Sequence, residues 1–382
     1  MTQPKLRLGM VGGGQGAFIG AIHRMAARLD DRFTLVAGAF SSDPDRAAAS
    51  GATLGIDPAR SYADFEIMAT AEAARADGID AVVIVTPNHL HAPAATAFLN
   101  AGIHVICDKP LAHRLEDAER LVETTERSDR LLIVTYNYSG YGMVRYARAL
   151  VAAGVLGDLR IAQTEYAQEW LTQPLEQSGH KQAAWRTDPT QAGLGGCLGD
   201  IGTHAFHLTE FVTGQRVEAL AADLSTFGPG RILDDNAHIL LRFAGGARGM
   251  LWASQVAPGQ KNGLRLRLYG TLGGLEWHQE NPDALDVTLF GQPTQRLTRG
   301  GPTLPGSDVP APPSRLPAGH PEGYLEGFAT LYSDAADALL AHRAGARSVS
   351  SLLPTVADGV RGLRFIQAAV TSAQQETLWL AL

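Results

Sequence analysis

The chain has 382 residues, 45% of them hydrophobic and 19% charged, a composition typical of a globular protein long enough for two domains with separate cores. Its net charge of −7, without a compact Lys/Arg cluster, argues against a nucleic-acid partner. Two cysteines without CxxC spacing, no apolar leader and no run of eighteen apolar residues argue against a disulfide framework and a membrane partner, so we expect a soluble cytoplasmic protein.

The first third of the chain alternates short apolar strands with helical segments. Strands are predicted at residues 6–11, 33–40, 81–86, 104–107 and 131–136, and helices at 17–29, from about 44, and at 92–100. Such βαβ repetition predicts a parallel, doubly wound sheet, and the β-branched run at 81–85 suits a strand buried on both faces.

The pattern changes after about residue 136. A helix is predicted at 144–153, and longer strands at 160–170, 238–246, 247–256 and 264–271 favour a mostly antiparallel sheet. Residues 291–319 are rich in Pro, Gly, Thr and Ser, which predicts a long exposed loop. Helices are predicted at 321–341 and 353–375.

A glycine-rich turn follows the first strand and predicts a dinucleotide site. Gly12, Gly14 and Ala17 fit G-x-G-x-x-A between a strand and a helix, and Gly20 adds a second point of close approach. Glycines let the backbone approach a pyrophosphate, whose charge the helix N-terminus favours; a turn without a ligand is the alternative. The residues assigned to the cofactor here are Gly12, Gly14, Gln15, Ala17, Phe18 and Ile19.

The second and third strands end in residues that we expect to contact the rest of the cofactor. No acidic residue ends the second strand, where Ser41, Ser42 and Arg46 are expected at the adenosine ribose. Serine hydroxyls suit a free ribose, whereas a 2′-phosphate requires a nearer arginine, so NAD is favoured over NADP. Residues expected near the nicotinamide, or else forming a plain helix-start turn, are Thr86, Pro87, Asn88 and His91.

The segment GGCLGDIGTHAFHL places Asp200 and His204 four residues apart, and if the segment is helical this spacing stacks both side chains on one face. A carboxylate beside an imidazole is a proton-handling pair, and a structural histidine is the alternative. A metal site would add His207, but no other Cys/His cluster completes it, so no metal is expected.

Three segments now resemble the Gfo/Idh/MocA family of sugar and inositol oxidoreductases: the glycine turn, CDKPL at 107–111, and GD-x-G-x-H at 199–204. The likeness covers nearly the whole chain, including WRTDP and HPEGYLEGF. Two departures are Asp108, where the family has Glu, and a glycine turn about two residues longer than the shortest version.

The resemblance implies an α/β fold in two domains. A Rossmann domain is expected at 1–135 and an α+β domain at 136–382, with a large, mostly antiparallel open sheet that builds a homodimer or homotetramer. The last helix is free to pack back on the first domain.

The resemblance also implies the catalytic set Lys109, Asp200 and His204. His204 is expected to exchange the hydroxyl proton, and Asp200 to orient its ring, stabilise its cationic form or bind a neighbouring hydroxyl. Lys109 is expected to stabilise alkoxide charge or to share the proton transfer. Asp108 and Lys109 are also expected at the cofactor, and the Lys109–Pro110 bond is a candidate for the cis isomer. Further sugar contacts are expected from Tyr138, Trp185, Arg186 and, from a loop that reaches a neighbouring subunit, His320.

These expectations describe an NAD-dependent dehydrogenase acting on a secondary alcohol of a cyclic polyol or sugar. One rival is a glycoside hydrolase that uses NAD to oxidise the sugar transiently. The other is a regulatory protein that binds NAD without catalysis.

Overall fold

The computed structural model describes residues 5–346 and 349–382. The first elements are β1 (Leu6–Gly12), α1 (Phe18–Leu29), β2 (Phe33–Ala39), α2 (Pro44–Thr53), α3 (Phe65–Ala73), β3 (Ala81–Val85), α4 (His91–Asn100), β4 (His104–Cys107), α5 (Leu115–Ser128) and β5 (Leu132–Val134). The next are α6 (Gly142–Ala152), β6 (Leu159–Ala167), α7 (Lys181–Arg186), α8 (Pro189–Ala192), a π-helical turn (Leu198–Gly202), α9 (Thr203–Thr213), β7 (Val217–Ser225) and β8 (Asn236–Phe243). The last are β9 (Arg248–Ser254), β10 (Gly263–Gly270), β11 (Gly273–His278), β12 (Ala284–Leu289), β13 (Gln295–Thr298), α10 (Tyr324–Arg343), α11 (Val356–Gln374) and β14 (Leu380–Ala381).

The chain forms two compact units. One consists of Met1–Asn137 and Leu325–Arg361, and the other of Tyr138–Tyr324 and Gly362–Leu382. Helix α10, which a division at 135/136 leaves with the second domain, therefore groups with the first unit, and α11 supplies residues to both. No helix in the described ranges is long and apolar enough to cross a membrane.

The first unit contains a parallel sheet with the strand order β2-β1-β3-β4-β5 in the described part of the chain, which confirms the predicted doubly wound sheet. Its central strand β3 is buried along its whole length, because its apolar side chains are covered on both faces. The strand order reverses between β1 and β3. In such sheets, ligands bind beyond the carboxyl ends of the strands at the point of reversal.

The second unit contains a sheet ordered β13-β12-β11-β10-β6-β9-β8-β7-β14 within the described residues. All neighbours are antiparallel except β6 and β9, so the predicted, mostly antiparallel sheet is confirmed. Strand β8 alternates buried and exposed residues, as expected of a sheet covered on one face. Helix α9 packs on the covered face, where Phe206 stacks on Phe365 of α11 with ring centroids 4.2 Å apart.

Three predictions of local secondary structure differ from the structure. The final helix begins at Val356 rather than at 353, because the backbone and hydroxyl of Thr355 donate to the Asp358 carboxylate and cap it. The predicted loop at 291–319 contains β13, which pairs with β12. The prediction of α-helical spacing from Asp200 to His204 was wrong, since Asp200 lies in the π-helical turn.

Candidate active site

The glycine turn after β1 brings backbone against backbone. Gly12 and Gly13 both have positive φ values, 80° and 71°, which favour residues without a Cβ. A Cβ on Gly20 of α1 would lie 2.4 Å from the Cα of Gly13, and one on Gly14 would lie 2.7 Å from the carbonyl oxygen of Phe40. The helix therefore begins at a distance from the strand that only glycine permits.

This turn suits the pyrophosphate of a dinucleotide. Ala17, the N-cap of α1, provides no side-chain cap, and the first turn contains no acidic residue, so the positive end of the helix dipole is not neutralised locally. The backbone amide of Gln15 donates to the Ser50 hydroxyl, and this hydrogen bond ties the loop to α2. A Cβ on Gly12 would lie 3.0 Å from the Thr86 methyl carbon, and the buried Thr86 hydroxyl has no hydrogen-bond partner among the described residues. Phe18 is 66% exposed beside the turn, and Ile19 follows it half-buried.

At the end of β2, the acidic side chain nearest the expected ribose position is engaged elsewhere. Asp43 accepts the amide of Arg46 and caps α2, while its own amide donates to the Ser41 hydroxyl. Ser42 and Arg46 are exposed and Ser41 is half-buried. The two serines therefore remain the groups proposed for the ribose.

The segments that follow β3 and β4 are tied together by His91. Its Nδ1 lies 2.8 Å from the carbonyl oxygen of Pro110, and its Nε2 lies 2.9 Å from that of Thr86. Burial lowers the pKa of His91, although Asp108 and the two carbonyls act in the opposite direction. Both ring nitrogens of His91 thus contact backbone carbonyl oxygens of the protein. Contact of His91, Pro87 or the buried Asn88 with a cofactor stays a prediction.

The Asp108 carboxylate organises the start of the DKP segment. Its Oδ1 accepts the Lys109 amide at 3.0 Å and the Thr135 hydroxyl at 2.8 Å. The Lys109–Pro110 bond is cis, as predicted. Behind Asp108 lies the fully buried His23, which sequence reasoning missed; its Nδ1 lies 2.8 Å from the Tyr332 hydroxyl and its Nε2 3.9 Å from Asp108 Oδ2.

In the second unit, Asp234 holds the backbone that leads to Asp200. Its buried carboxylate accepts the amides of Gly196 and Leu198, both at 2.7 Å, and the thiol of Cys197. A Cβ on Gly196 would lie 2.1 Å from the Asp234 carbonyl oxygen, so this position also requires glycine. Burial raises the pKa of Asp234, and its hydrogen bonds oppose that shift.

Asp200 lies in a cluster of polar side chains. Its Oδ2 accepts Nε of Arg186 at 3.2 Å and Nε2 of Gln255 at 2.8 Å. The Arg186 guanidinium lies 4.2 Å from the ring centroid of Trp185, which places this predicted pair together beside the carboxylate. One oxygen of the Asp200 carboxylate thus accepts from both a cationic donor and an amide donor.

His204 is 92% buried and packs against tyrosine rings. Its ring contacts Tyr138 edge to face, with centroids 4.9 Å apart. Burial raises the pKa of Tyr138, whose hydroxyl is hydrogen-bonded to that of Tyr166. The packing of Tyr138 against the His204 imidazole restricts the orientation of that ring. The predicted contact of Tyr138 with a sugar stays a prediction.

His320 lies exposed in the long segment after β13. This segment is pinned by the buried Arg299, which binds the carbonyl oxygen of His320 and the carboxylates of Asp283 and Glu322. The loop is therefore held in a defined shape, and a role for the His320 side chain stays a prediction. No cluster of three metal-ligating side chains occurs in the described ranges, and His207 stacks on Phe211.

The chain matches two family models. Residues 6–136 match "Oxidoreductase family, NAD-binding Rossmann fold", and residues 144–276 match "GFO/IDH/MocA C-terminal domain".

Three relatives are similar to the chain over nearly its full length. An oxidoreductase from Sinorhizobium meliloti is 51% identical, with 99% of this chain and 100% of the other covered and a TM-score of 0.88. An inositol dehydrogenase homolog from Azotobacter vinelandii, complexed with NADH and myo-inositol, is 38% identical over 99% and 98% of the two chains, with a TM-score of 0.89. Levoglucosan dehydrogenase from Pseudarthrobacter phenanthrenivorans is 28% identical over 97% of each chain.

The contact between Gly13 and Gly20 generates a prediction. In Gly20→Ala, the added methyl group must displace the turn, which costs about 1–3 kcal/mol and weakens NAD⁺ binding by about tenfold. Isothermal titration calorimetry with NAD⁺ measures the loss. Gly142→Ala is the matched control, because a Cβ there meets no atom closer than 3.6 Å. Wild-type affinity in Gly20→Ala would contradict this account of the turn.

Proposed function

The chain belongs to the Gfo/Idh/MocA family of oxidoreductases, and we propose that it transfers a hydride between NAD and a secondary alcohol of a cyclic polyol or sugar. The observation that carries this proposal is the glycine turn at the β1/β3 reversal, where a Cβ on Gly12 would meet Thr86 and one on Gly20 would meet Gly13. Such a cradle suits a pyrophosphate. The Asp200–Arg186 cluster adds polar groups of the kind that recognise hydroxyls.

NAD, when bound, supplies the hydride acceptor, and the protein must handle the proton. Loss of hydride from a neutral carbinol would leave a protonated carbonyl, so a base has to act in step. We assign that base to the imidazole of His204, which takes the hydroxyl proton. Asp200 stabilises the resulting imidazolium or accepts a neighbouring hydroxyl. Lys109 stabilises the developing alkoxide charge with its ammonium group.

The charge around Asp200 favours a neutral substrate. The Arg186 guanidinium is already paired with the Asp200 carboxylate and stacked near Trp185. A phosphate group would bring two further negative charges towards that carboxylate and compete for its arginine. An unphosphorylated ring instead presents hydroxyls and C–H faces, which suit Asp200 and Trp185. The myo-inositol complex of the Azotobacter vinelandii relative supports this class.

Two rivals use the same fold. A hydrolase with transient sugar oxidation would release an aglycone without net NADH, whereas a dehydrogenase accumulates NADH. A regulatory protein would bind NAD and perform no reaction. The cluster of Asp200, Arg186 and Gln255 favours catalysis, because the side chains of Asp200 and Arg186 are 19% and 25% exposed and so remain accessible to a substrate hydroxyl.

We further propose that two copies of the chain associate through the open face of the second sheet, defined by Ile161, Leu240, Met250 and Tyr269, which are 41–50% exposed. Leu240 and Met250 are register partners and form an apolar centre. On the same face, the carboxylate of Glu165 pairs with Arg267, so both charge signs are available to a second copy. A twofold axis places the same patch of both copies in contact, so the apolar centre at Leu240 and Met250 meets its own counterpart.

Lys109→Ala and His204→Ala are predicted to lower kcat by about a thousandfold, because each removes a group that acts on the proton or its charge. NAD⁺ affinity stays within about threefold in His204→Ala and falls much less than kcat in Lys109→Ala, since the glycine turn is untouched in both. Steady-state NADH formation and calorimetry measure the two effects. Lys5→Ala, at an exposed lysine, is the control and retains activity. Near-normal turnover in either variant would remove that residue from the assignment.

Phosphorylated sugars are predicted to be poor substrates. We expect kcat/KM for glucose 6-phosphate and inositol 1-phosphate to be at least about tenfold below the values for glucose and myo-inositol, a difference of about 1.4 kcal/mol. Parallel NADH assays at constant ionic strength make the comparison. A preference for the phosphates would show that Arg186 is available for anion binding and would overturn the neutral-substrate proposal.

The double variant Leu240→Glu/Met250→Glu is predicted to dissociate the oligomer, because it places carboxylates at the centre of the proposed contact. Light scattering after size exclusion gives the mass of each species. Ile67→Glu, at a residue of α3 that is 63% exposed, is the matched control and leaves the mass unchanged. A wild-type monomer, or an unaltered mass in the double variant, would contradict the interface.

A further inference from the structure

Gln255 directly follows β9 and is 1% exposed, although an amide gains little from burial unless it is hydrogen-bonded. Its backbone amide donates to the Asp235 carbonyl oxygen at 2.9 Å, and its carbonyl oxygen accepts the Leu171 amide at 3.0 Å. The main chain on both sides is thus fixed. The shorter of the two hydrogen bonds that its side-chain amide donates goes to Oδ2 of Asp200, at 2.8 Å.

The Gln255 amide also begins a line of hydrogen bonds. Its Nε2 lies 3.4 Å from Oε1 of Gln168, whose own Nε2 donates to Oδ1 of Asn262 at 2.9 Å. The same Asn262 oxygen accepts the Tyr166 hydroxyl at 2.7 Å. Tyr166 is hydrogen-bonded to Tyr138, the ring that packs on His204. We call Gln255, Gln168, Asn262, Tyr166 and Tyr138 the amide–hydroxyl chain.

We propose that Gln255 is a positioning residue for Asp200, and that the amide–hydroxyl chain holds Asp200 and the tyrosine support of His204 in one rigid arrangement. The inference rests on the proposed function of Asp200 and His204. An uncharged donor is suited to this position because it orients the carboxylate without adding a second charge to the Arg186 pair. A connected network of hydrogen bonds of this kind restricts its side chains to few geometries.

The groups that face the Asp200 carboxylate come from several elements. Arg186 of α7 supplies a cation and Gln255 an amide. Tyr138, Tyr166 and the Cys197 thiol are neutral groups whose pKa values are raised mainly by burial, and the Asp200 charge adds to each shift. Arg186 is thus a cationic partner of Asp200, and the Gln255 amide is a neutral one.

Gln255→Glu and Gln255→Leu test the proposal. In Gln255→Glu, two carboxylates meet at Oδ2, which raises the pKa of Asp200, and the acid limb of kcat/KM moves upward by about one pH unit or more. In Gln255→Leu, kcat falls about 10- to 100-fold while the substrate KM changes less than about threefold, because orientation rather than binding is lost. The Asp200 titration is also followed directly by ¹³C NMR of the carboxyl carbon, assigned with Asp200→Asn.

Gln215→Glu and Gln215→Leu are the matched controls, because Gln215 is a half-buried glutamine of the same unit whose Oε1 has no hydrogen-bond partner in the described residues. We expect them to leave the pH profile and the Asp200 titration unchanged. An unshifted Asp200 titration in Gln255→Glu would overturn the positioning role, whether or not the protein oxidises a polyol. A shifted titration in a wild-type protein without NADH formation on any polyol would instead refute the proposed function alone.

Discussion

In each of the two units, the residues proposed for function depend on a place where backbone passes against backbone and no Cβ fits. In the first unit, Gly20 of α1 meets Gly13 of the turn, and a Cβ would come within 2.4 Å of it. In the second unit, Gly196 meets the Asp234 carbonyl oxygen, and a Cβ would come within 2.1 Å. These contacts fix where the α1 amides begin and where the π-helical turn carries Asp200. The glycines of both motifs therefore determine how closely the two backbone segments of each contact approach each other.

The sequence predicts the architecture well because the signals are local and repeated. The apolar run at 81–85 indicates a strand that is buried on both faces, and the alternation along β8 indicates a strand that is buried on one face. Neither inference requires knowledge of the packing. Helix ends are less certain from sequence, since one side-chain cap, such as that at Asp358, decides the first residue. Strand β13 was missed because pairing with β12 stabilises a segment whose composition favours a loop.

The sequence indicates which residues act in the proposed site, but it does not indicate which residues hold them in position. Asp200 and His204 stand out by spacing, yet the π-helical turn that alters that spacing depends on Asp234, 34 residues later. Gln255 carries no charge and belongs to no motif, so only its 2.8 Å contact with Asp200 reveals it. His23 likewise reads as one residue of an amphipathic helix until the fold places it 3.9 Å from Asp108. Contacts between residues far apart in the chain produce no periodic pattern in the sequence, so sequence analysis does not detect them.

The central claim is that the protein moves a hydride from a neutral cyclic polyol to NAD⁺, and isotope transfer tests it most directly. The protein is incubated with NAD⁺ and myo-inositol deuterated at its ring carbons, and the product nucleotide is analysed by mass spectrometry and proton NMR. The account predicts NADH carrying one deuterium on a single face of the nicotinamide, with a stoichiometric ketone product. Tight NAD⁺ binding with no deuterium transfer from this or any other polyol or sugar would contradict it.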